Sequence, residues 1–438
     1  MNRTTGSPDI SPDTRPDATA SAGLRRRALL AAPAALVGLN AWAATPAPAA
    51  PDVLRVALIS PTTGALAAFG VTNSYVHELL SPLLAAGLDT AHMGKRTVQL
   101  EIYDAASSPA TAAEHAAALA ASGVHIVLAS ATPEICNPVS DVCEAAGVPC
   151  ITTVAPWQAW FHGRKGERDK GFQWTYHFFV GLEDFASVYS SLFARADLGK
   201  VVGAIWPDDI DGQAFQMALP RFFKQRGLTL MDAGQLQLAS PDYEGIATRL
   251  RDARVQMVTG VLPPPVAQAF FAAAKKVGYQ PRMASIAKAF PFPDTVERSS
   301  APGLALTNEI WWSPAWPFLS GLTGQTSQQV ASEYEKRTGR QWIQTLGFSH
   351  ALVDLAAQVI RQSPEATRQA LGLTLRRITA KTVVGPLNFS GRLPSLNVCT
   401  TPAVGGQWQR NAQGRWILQV VDNTRSPVVP VTADFVLG

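Results

Sequence analysis

Val53-Leu-Arg-Val-Ala-Leu-Ile59 empties directly into Ser60-Pro-Thr-Thr-Gly-Ala-Leu-Ala-Ala-Phe-Gly70. The first seven residues are apolar at six positions, the pattern of a strand buried on both faces of a parallel sheet. The following stretch is small, polar and glycine-containing, which is loop chemistry. In open α/β sheets ligands bind just beyond the carboxyl ends of the strands. A buried strand that opens into such a loop is therefore read as one wall of a binding site.

Working outward, further strand patterns lie at 97–103, 124–129 and 148–153, with helical spacing at 67–86, 110–121 and 138–146. Gly123 and Gly147 stand between a helix and the next strand, where a left-handed cap is needed. The alternation predicts a parallel sheet covered by helices on both faces. It pauses over 155–173, rich in Trp, Gly, Lys and Arg, and then restarts. Helices are expected at 182–195, 212–226, 243–253 and 266–277, and strands at 200–206, 228–236, 255–261 and 282–286. The pause reads as a crossover between two similar α/β lobes. Residues 325–337, 348–361 and 364–376 are helical, and 407–410 with 415–421 form a hairpin around a turn at 411–414. The expected class is α/β with two Rossmann-like lobes.

The start of the chain carries a different signal. Arg25-Arg26-Arg27 precedes a mostly alanine stretch over 28–44 that contains Pro33 and Asn40. This run is too short and too weakly apolar to span a membrane, and it reads as a cleaved export signal over 1–49, of twin-arginine type. No stable membrane anchor is expected, and the periplasm is the expected compartment. Five arginines and three aspartates lie in residues 1–49, so the formal charge of +4 falls to +2 for the remainder. Such a balance gives no argument for nucleic acid as a partner. Cys136, Cys143, Cys150 and Cys399 follow no zinc spacing, and whether any pair is bridged stays open at this level.

The loops beyond the strands hold the candidate ligand residues. Ser130, Thr132, Pro133 and Glu134 precede a helix expected to begin near Asn137. Hydroxyls and free N–H groups there suit a carboxylate, while simple capping by Thr132 or Asn137 accounts for the same residues. Val154, Ala155, Pro156 and Trp157 end the next strand. Trp157 and Trp160 either stack on a planar ligand or pack the crossover. Asp208, Asp209 and Asp211 follow the strand ending at Trp206 and offer three carboxylates to a cation or to hydroxyls, or Asp208 or Asp211 caps the next helix. Trp311, Trp312 and Trp316 either wall a pocket or pack a core. Enzyme signatures are missing: there is no G-x-S-x-G, no phosphate-binding G-x-x-x-x-G-K-[ST], and no paired H-x-x-x-H among seven histidines. No cofactor and no metal site is expected.

These residues together resemble the type I periplasmic binding proteins of ABC importers, in the leucine/isoleucine/valine-binding branch. The resemblance is carried by the opening through Gly70, by Lys200-Val-Val-Gly-Ala-Ile-Trp-Pro-Asp-Asp-Ile-Asp-Gly212, by Ala273-Ala-Lys-Lys-Val-Gly-Tyr279, by Thr382-Val-Val-Gly-Pro-Leu-Asn-Phe389, and by Gly406-Gln-Trp-Gln409. It implies two lobes joined by a three-strand hinge, the first of residues 52–176 with 308–384 and the second of 177–307 with 385–438. It implies a small solute held between them, an amino acid or amino-acid-like compound, or an aromatic acid or amide, and delivery to a membrane permease without catalysis. By position it makes Phe69 an aromatic beside the ligand and places Pro265 where amino-acid binders carry a carboxylate for the ammonium. Two alternatives stand beside it. A secreted α/β hydrolase predicts turnover of an ester or amide, and a ligand sensor of the same fold predicts a regulatory partner.

Overall fold

The strand that opens the sequence, β1 (Val53–Ser60), is an interior strand, as its apolar run requires. The computed structural model describes residues 53–437, so the expected export signal lies outside the described residues. After β1 come α1 (Asn73–Ala85), β2 (Leu88–Thr90), β3 (Gly94–Asp104), α2 (Pro109–Ala121), β4 (Ile126–Ser130), α3 (Pro133–Ala146), β5 (Cys150–Thr153), α4 (Trp157–Phe161) and β6 (Thr175–Phe178). The next stretch runs α5 (Leu182–Ala196), β7 (Val201–Pro207), α6 (Ile210–Gln225), β8 (Thr229–Leu236), α7 (Tyr243–Asp252), β9 (Met257–Val261), α8 (Pro264–Lys276), β10 (Met283–Ala287), α9 (Pro293–Ser299) and β11 (Ala305–Ile310). The chain closes with α10 (Ser327–Thr338), α11 (Gln344–Gln362), α12 (Arg368–Arg377), β12 (Thr379–Thr382), β13 (Gly385–Asn388), β14 (Val398–Cys399), β15 (Val404–Arg410) and β16 (Trp416–Asp422).

Two seven-stranded sheets result. The first has the order β14-β6-β5-β4-β1-β3-β2 and is parallel except at β2. The second has the order β16-β15-β11-β10-β9-β7-β8 and is parallel except for β15 and β16. This is the two-lobed α/β architecture the alternating pattern predicts. The chain passes between the sheets three times: after β6, after β11, and between β14 and β15. Aromatic side chains pack the first two passages. Phe179 and Trp311 meet at 5.3 Å between ring centroids, and both lie edge-on to Phe348 of α11. α11 is buried along nearly all its length because it packs on α1 and on β2, β4 and β5 at once, and the buried set includes polar residues such as Ser349, His350 and Asp354.

Local departures from the sequence pattern have local causes. α3 starts at Pro133, earlier than the expected start near Asn137, because proline at the first helical position lacks only an N–H that would be unbonded anyway. The unpatterned stretch 155–173 contains the short helix α4. β6 is wholly buried although it reads Thr-Tyr-His-Phe. Its polar side chains find partners: His177 shares a hydrogen bond of 2.8 Å with Thr152 and one of 2.8 Å with the Ala155 carbonyl, and stacks on Trp160 at 5.0 Å. All four cysteines are free thiols.

Candidate functional site

Both sheets aim the carboxyl ends of their strands at one cavity. Phe69 reaches it from beyond β1, Thr132 from beyond β4, Val154 and Pro156 from beyond β5, and Phe179 from beyond β6. From the second sheet come Asp211, Val261, Ala287, Lys288, Pro291, Glu309 and Trp311, with Phe185 and Phe215 from α5 and α6. The enclosed free space is about 30 Å³, room for roughly two water molecules. A larger guest therefore requires the two sides to part. A roomier groove of about 420 Å³ beside Glu144, Trp174 and Arg376 sits at the opposite, amino ends of β5 and β6 and is open to solvent.

The cavity wall is aromatic, but its polar edge holds an ionic cluster. Lys288 follows β10 directly, with a positive φ of 65°. Its Nζ lies 2.6 Å from Asp211 Oδ2, 3.3 Å from Asp209 Oδ2 and 3.3 Å from Glu134 Oε1. Asp209 and Asp211 stand at the start of α6, whereas Glu134 is on α3, so one ammonium ties the two sides together. Burial alone would lower the Lys288 pKa, but Asp211, Glu134 and Asp209 outweigh it and hold the ammonium above its usual value. Burial pushes Asp211 up to about 7, against the pull of Lys288, with Glu134 and Asp209 adding to the rise. Burial also opposes ionisation of Glu134, but Lys288 and the adjacent Thr132 hydroxyl keep its carboxyl below the usual range. Asp211 Oδ1, Glu134 Oε2, Ser130 Oγ and Thr132 Oγ1 are buried without a well-formed hydrogen bond.

A fourth carboxylate closes the far wall. Glu309 accepts from Tyr189 Oη at 2.5 Å and from Trp311 Nε1 at 3.4 Å. Its carboxyl is pushed up to about 7 by burial. Gln344, the first residue of α11, donates to the Glu309 carbonyl and accepts from the Trp311 N–H, which fixes the second passage against this wall.

A family model described as periplasmic binding protein matches residues 53–411. The chain belongs to the periplasmic binding protein family. Solved structures agree on the fold at low identity. A leucine-binding protein LivK from Thermotoga maritima is 14% identical, covers 85% of this chain and 99% of its own, and superposes with a TM-score of 0.68. A solute-binding protein of an ABC transporter from Rhodopseudomonas palustris, in complex with 3,4-dihydroxybenzoic acid, is 15% identical over 86% of this chain and 99% of its own, with a TM-score of 0.67. The branched-chain amino acid binding protein LivJ from Streptococcus pneumoniae, in complex with isoleucine, is 15% identical over 84% and 99%, at 0.66. No curated protein matches.

In this periplasmic binding protein the residues expected at the site fall into two groups. Phe69, Thr132, Val154, Pro156 and Asp211 line the cavity, and Glu134 joins its ionic edge. Phe69 packs edge-on against Phe292 at 5.0 Å, a contact across the cleft. Thr132 occupies the N-cap position of α3 but makes no capping hydrogen bond, and Asn137 lies inside the helix and donates to the Ala159 carbonyl. Neither therefore caps α3. Pro133 is buried as the first residue of α3, and Ser130 is buried beside Ser60, which donates to its carbonyl. Ala155 is buried and accepts from His177. Trp157 turns instead to Glu183, donating at 3.0 Å, and Trp160 is core packing on His177. Asp208 is exposed and accepts from the Leu238 N–H. Of the tryptophan cluster, Trp311 lines the cavity and Trp312 packs edge-on to Trp342. Pro265 is exposed on the first turn of α8, and Leu262-Pro-Pro-Pro265 brings no charge to the cleft. Among the described residues no cluster suited to a metal ion is found, and no helix is long and apolar enough to cross a membrane.

Lys288, Glu309, Phe179, Phe185 and Phe215 escape the sequence reading, whereas Asp209 is one of the three carboxylates it places in the loop after β7. The helix cap expected from Asp208 or Asp211 is Asp209, whose Oδ1 accepts from the Gly212 N–H at 2.7 Å. Gly212 is required there: a Cβ would stand 1.9 Å from the Pro207 carbonyl oxygen. Gly212→Ala is expected to displace the loop that carries Asp209 and Asp211 and to cost about 1–3 kcal/mol, measured by chemical denaturation against wild type. An unchanged midpoint would show that the loop absorbs the methyl without loss.

Proposed function

We propose that this protein is the solute-capturing component of an ABC importer, exported to the periplasm with its signal removed. It holds a small solute between two lobes and presents it to a membrane permease. The observation that carries this reading is the convergence of both sets of strand ends on one enclosed, largely aromatic cavity edged with unpartnered polar atoms. Pockets of that make-up bind small molecules, and two lobes hinged by a few strands close around them. We take 53–178 with 327–399 as one lobe and 182–310 with 404–437 as the other, a division supported by the changes of sheet. The neighbours' ligands are leucine, isoleucine, 3,4-dihydroxybenzoic acid and fatty acid. They support a solute with a compact apolar body and a polar head, in the range from amino acids to aromatic acids and amides.

The test is a binding screen of the purified chain with amino acids, aromatic acids, fatty acids and amides, read by thermal shift and titration calorimetry. The expected result is saturable one-to-one binding of one class with no product formed, accompanied by a change in tryptophan emission because Trp311 lines the cavity. Hydrolysis of an ester or amide in the same screen would replace this reading with an enzymatic one.

A further inference from the structure

Lys288 sets the chemistry of the cleft. Its ammonium already occupies the space among Glu134, Asp209 and Asp211, the place where a ligand's own positive group would otherwise be drawn. Side chains this deeply buried leave no room for a second ammonium beside it: Lys288 is 7% and Asp211 1% exposed. A carboxylate head meets the opposite obstacle. Three carboxylates surround one ammonium, and Glu134 and Asp209 alone outnumber it, so a further negative charge in a poorly hydrated cavity meets repulsion. The start of α3, where an anion would gain from free N–H groups, is already matched by Glu134 in its first turn. What the cavity leaves open is acceptor capacity. Asp211 lines it with Oδ1 unpartnered, and the lone pairs of the Thr132 hydroxyl, whose proton is directed to Glu134, face the same space. The remaining wall is Phe69, Phe179, Phe185, Phe215 and Trp311.

We propose that Lys288 is the specificity-determining residue of the cleft, acting as a built-in counter-ion that restricts the ligand to an uncharged solute with hydroxyl or amide N–H donors on a small aromatic or branched aliphatic body. This rests on the receptor reading and narrows it. α-Amino acids and free acids are poor ligands, and the uncharged donor sits with its head at Asp211 and its body among the phenylalanines.

The experiment holds the carbon body constant and varies the head. Wild-type protein is titrated with 3-phenylpropanamide, 3-phenylpropanoate, 3-phenylpropylamine and phenylalanine, and with the matching 4-methylpentanamide, 4-methylpentanoate, 4-methylpentylamine and leucine. In at least one series the amide is expected to bind at least about tenfold more tightly than each charged analogue, the step that one satisfied hydrogen bond confers in a site built for it. In Lys288→Ala the order inverts: the amine gains about tenfold or more, because its ammonium enters the vacated place. Tighter binding of the amine, acid or amino acid to wild type than of the amide overturns the proposal while leaving the receptor reading intact. Failure of all eight compounds, together with every solute of the wider screen, overturns both. Should Lys288→Ala not fold, the wild-type series decides alone.

Discussion

Lys288→Ala is expected to cost about 3–5 kcal/mol of stability, since removing one partner of a buried ion pair strands the charges left behind. Here the stranded groups are Asp211, Glu134 and Asp209, all within 3.3 Å of the ammonium. The cluster does not have to be stabilising as a whole for this to hold. Burying four ionisable groups carries a desolvation cost that their attraction offsets only in good geometry, and the loss on truncation mainly reflects the uncompensated carboxylates. The comparison that separates the two is a double-mutant cycle with Asp211→Asn. If the attraction between the pair dominates, Lys288→Ala costs much less in the Asp211→Asn background than in wild type. Denaturant titration followed by tryptophan emission gives the four stabilities. A cost below about 1 kcal/mol for Lys288→Ala, the range of an exposed ion pair, or an equal cost in both backgrounds, would show that the ammonium is not compensating those carboxylates. Because the groups are enclosed, the effect should also change little with added salt.

The second large effect concerns acid. His177 is buried on β6, and burial pushes its pKa down to about 3, with the Arg164 guanidinium, 4.7 Å from the Trp160 ring centroid, adding to the fall. Its neutral ring serves the Ala155 carbonyl and Thr152. In the unfolded chain an imidazole titrates near ~6.5. Its contribution to stability is therefore fully present above that pH and is lost as pH falls towards 3, at ~1.4 kcal/mol per pH unit. His350 of α11, pushed down to about 4 by burial, acts in the same direction. Glu309 and Asp211 act in the opposite one. Burial raises both to about 7, so each contributes most below the ordinary carboxylate range and loses that contribution as pH rises through 7. Between about pH 4.5 and 6.5 the two histidines and two carboxylates largely cancel. His177→Gln removes one side of the balance. Its stability relative to wild type should rise on acidification from pH 6.5 to 4.5, by roughly 3 kcal/mol over that interval, even though loss of the stacking on Trp160 lowers it at neutral pH. Parallel pH profiles for the two proteins would mean that His177 is charged in the fold.

The parts of the fold that were legible are those whose burial is uniform. β1 and β4 read correctly because both faces are covered, and Val-Leu-Arg-Val-Ala-Leu-Ile and Ile-Val-Leu-Ala-Ser say so directly. β6 was not legible, because Thr175 and His177 look exposed in sequence and become buried only through distant partners: Thr152 and Trp160 for His177, Glu144 and Arg164 for Thr175. At the site, Phe69, Thr132, Val154, Pro156 and Asp211 were reachable by one rule, the position just beyond a strand end. Lys288 obeys the same rule, immediately after Ala287. A lone lysine normally snorkels to water. Two of its three carboxylates lie 154 and 79 residues away in the chain, and the third, Asp211, stands with Asp209 at the start of α6, so no local pattern marks it. Phe185 and Phe215 are invisible for a related reason. They sit on helices, where an apolar residue reads as ordinary packing against the sheet below.

The three passages between the sheets also bear on biosynthesis. The outermost strand of the first sheet is supplied by residues 398–399, and the second sheet is completed only by 404–410 and 416–422. A nascent polypeptide emerging from the ribosome cannot finish one half before beginning the other. Both halves wait until the strands within 398–422 have been translated. After β6 is made, that wait is roughly 10–45 s at ~5–20 residues per second. Truncation near residue 400 would therefore leave the second half short of two strands rather than trimming a tail, and a partly made product would expose sheet edges to aggregation for the whole of that interval.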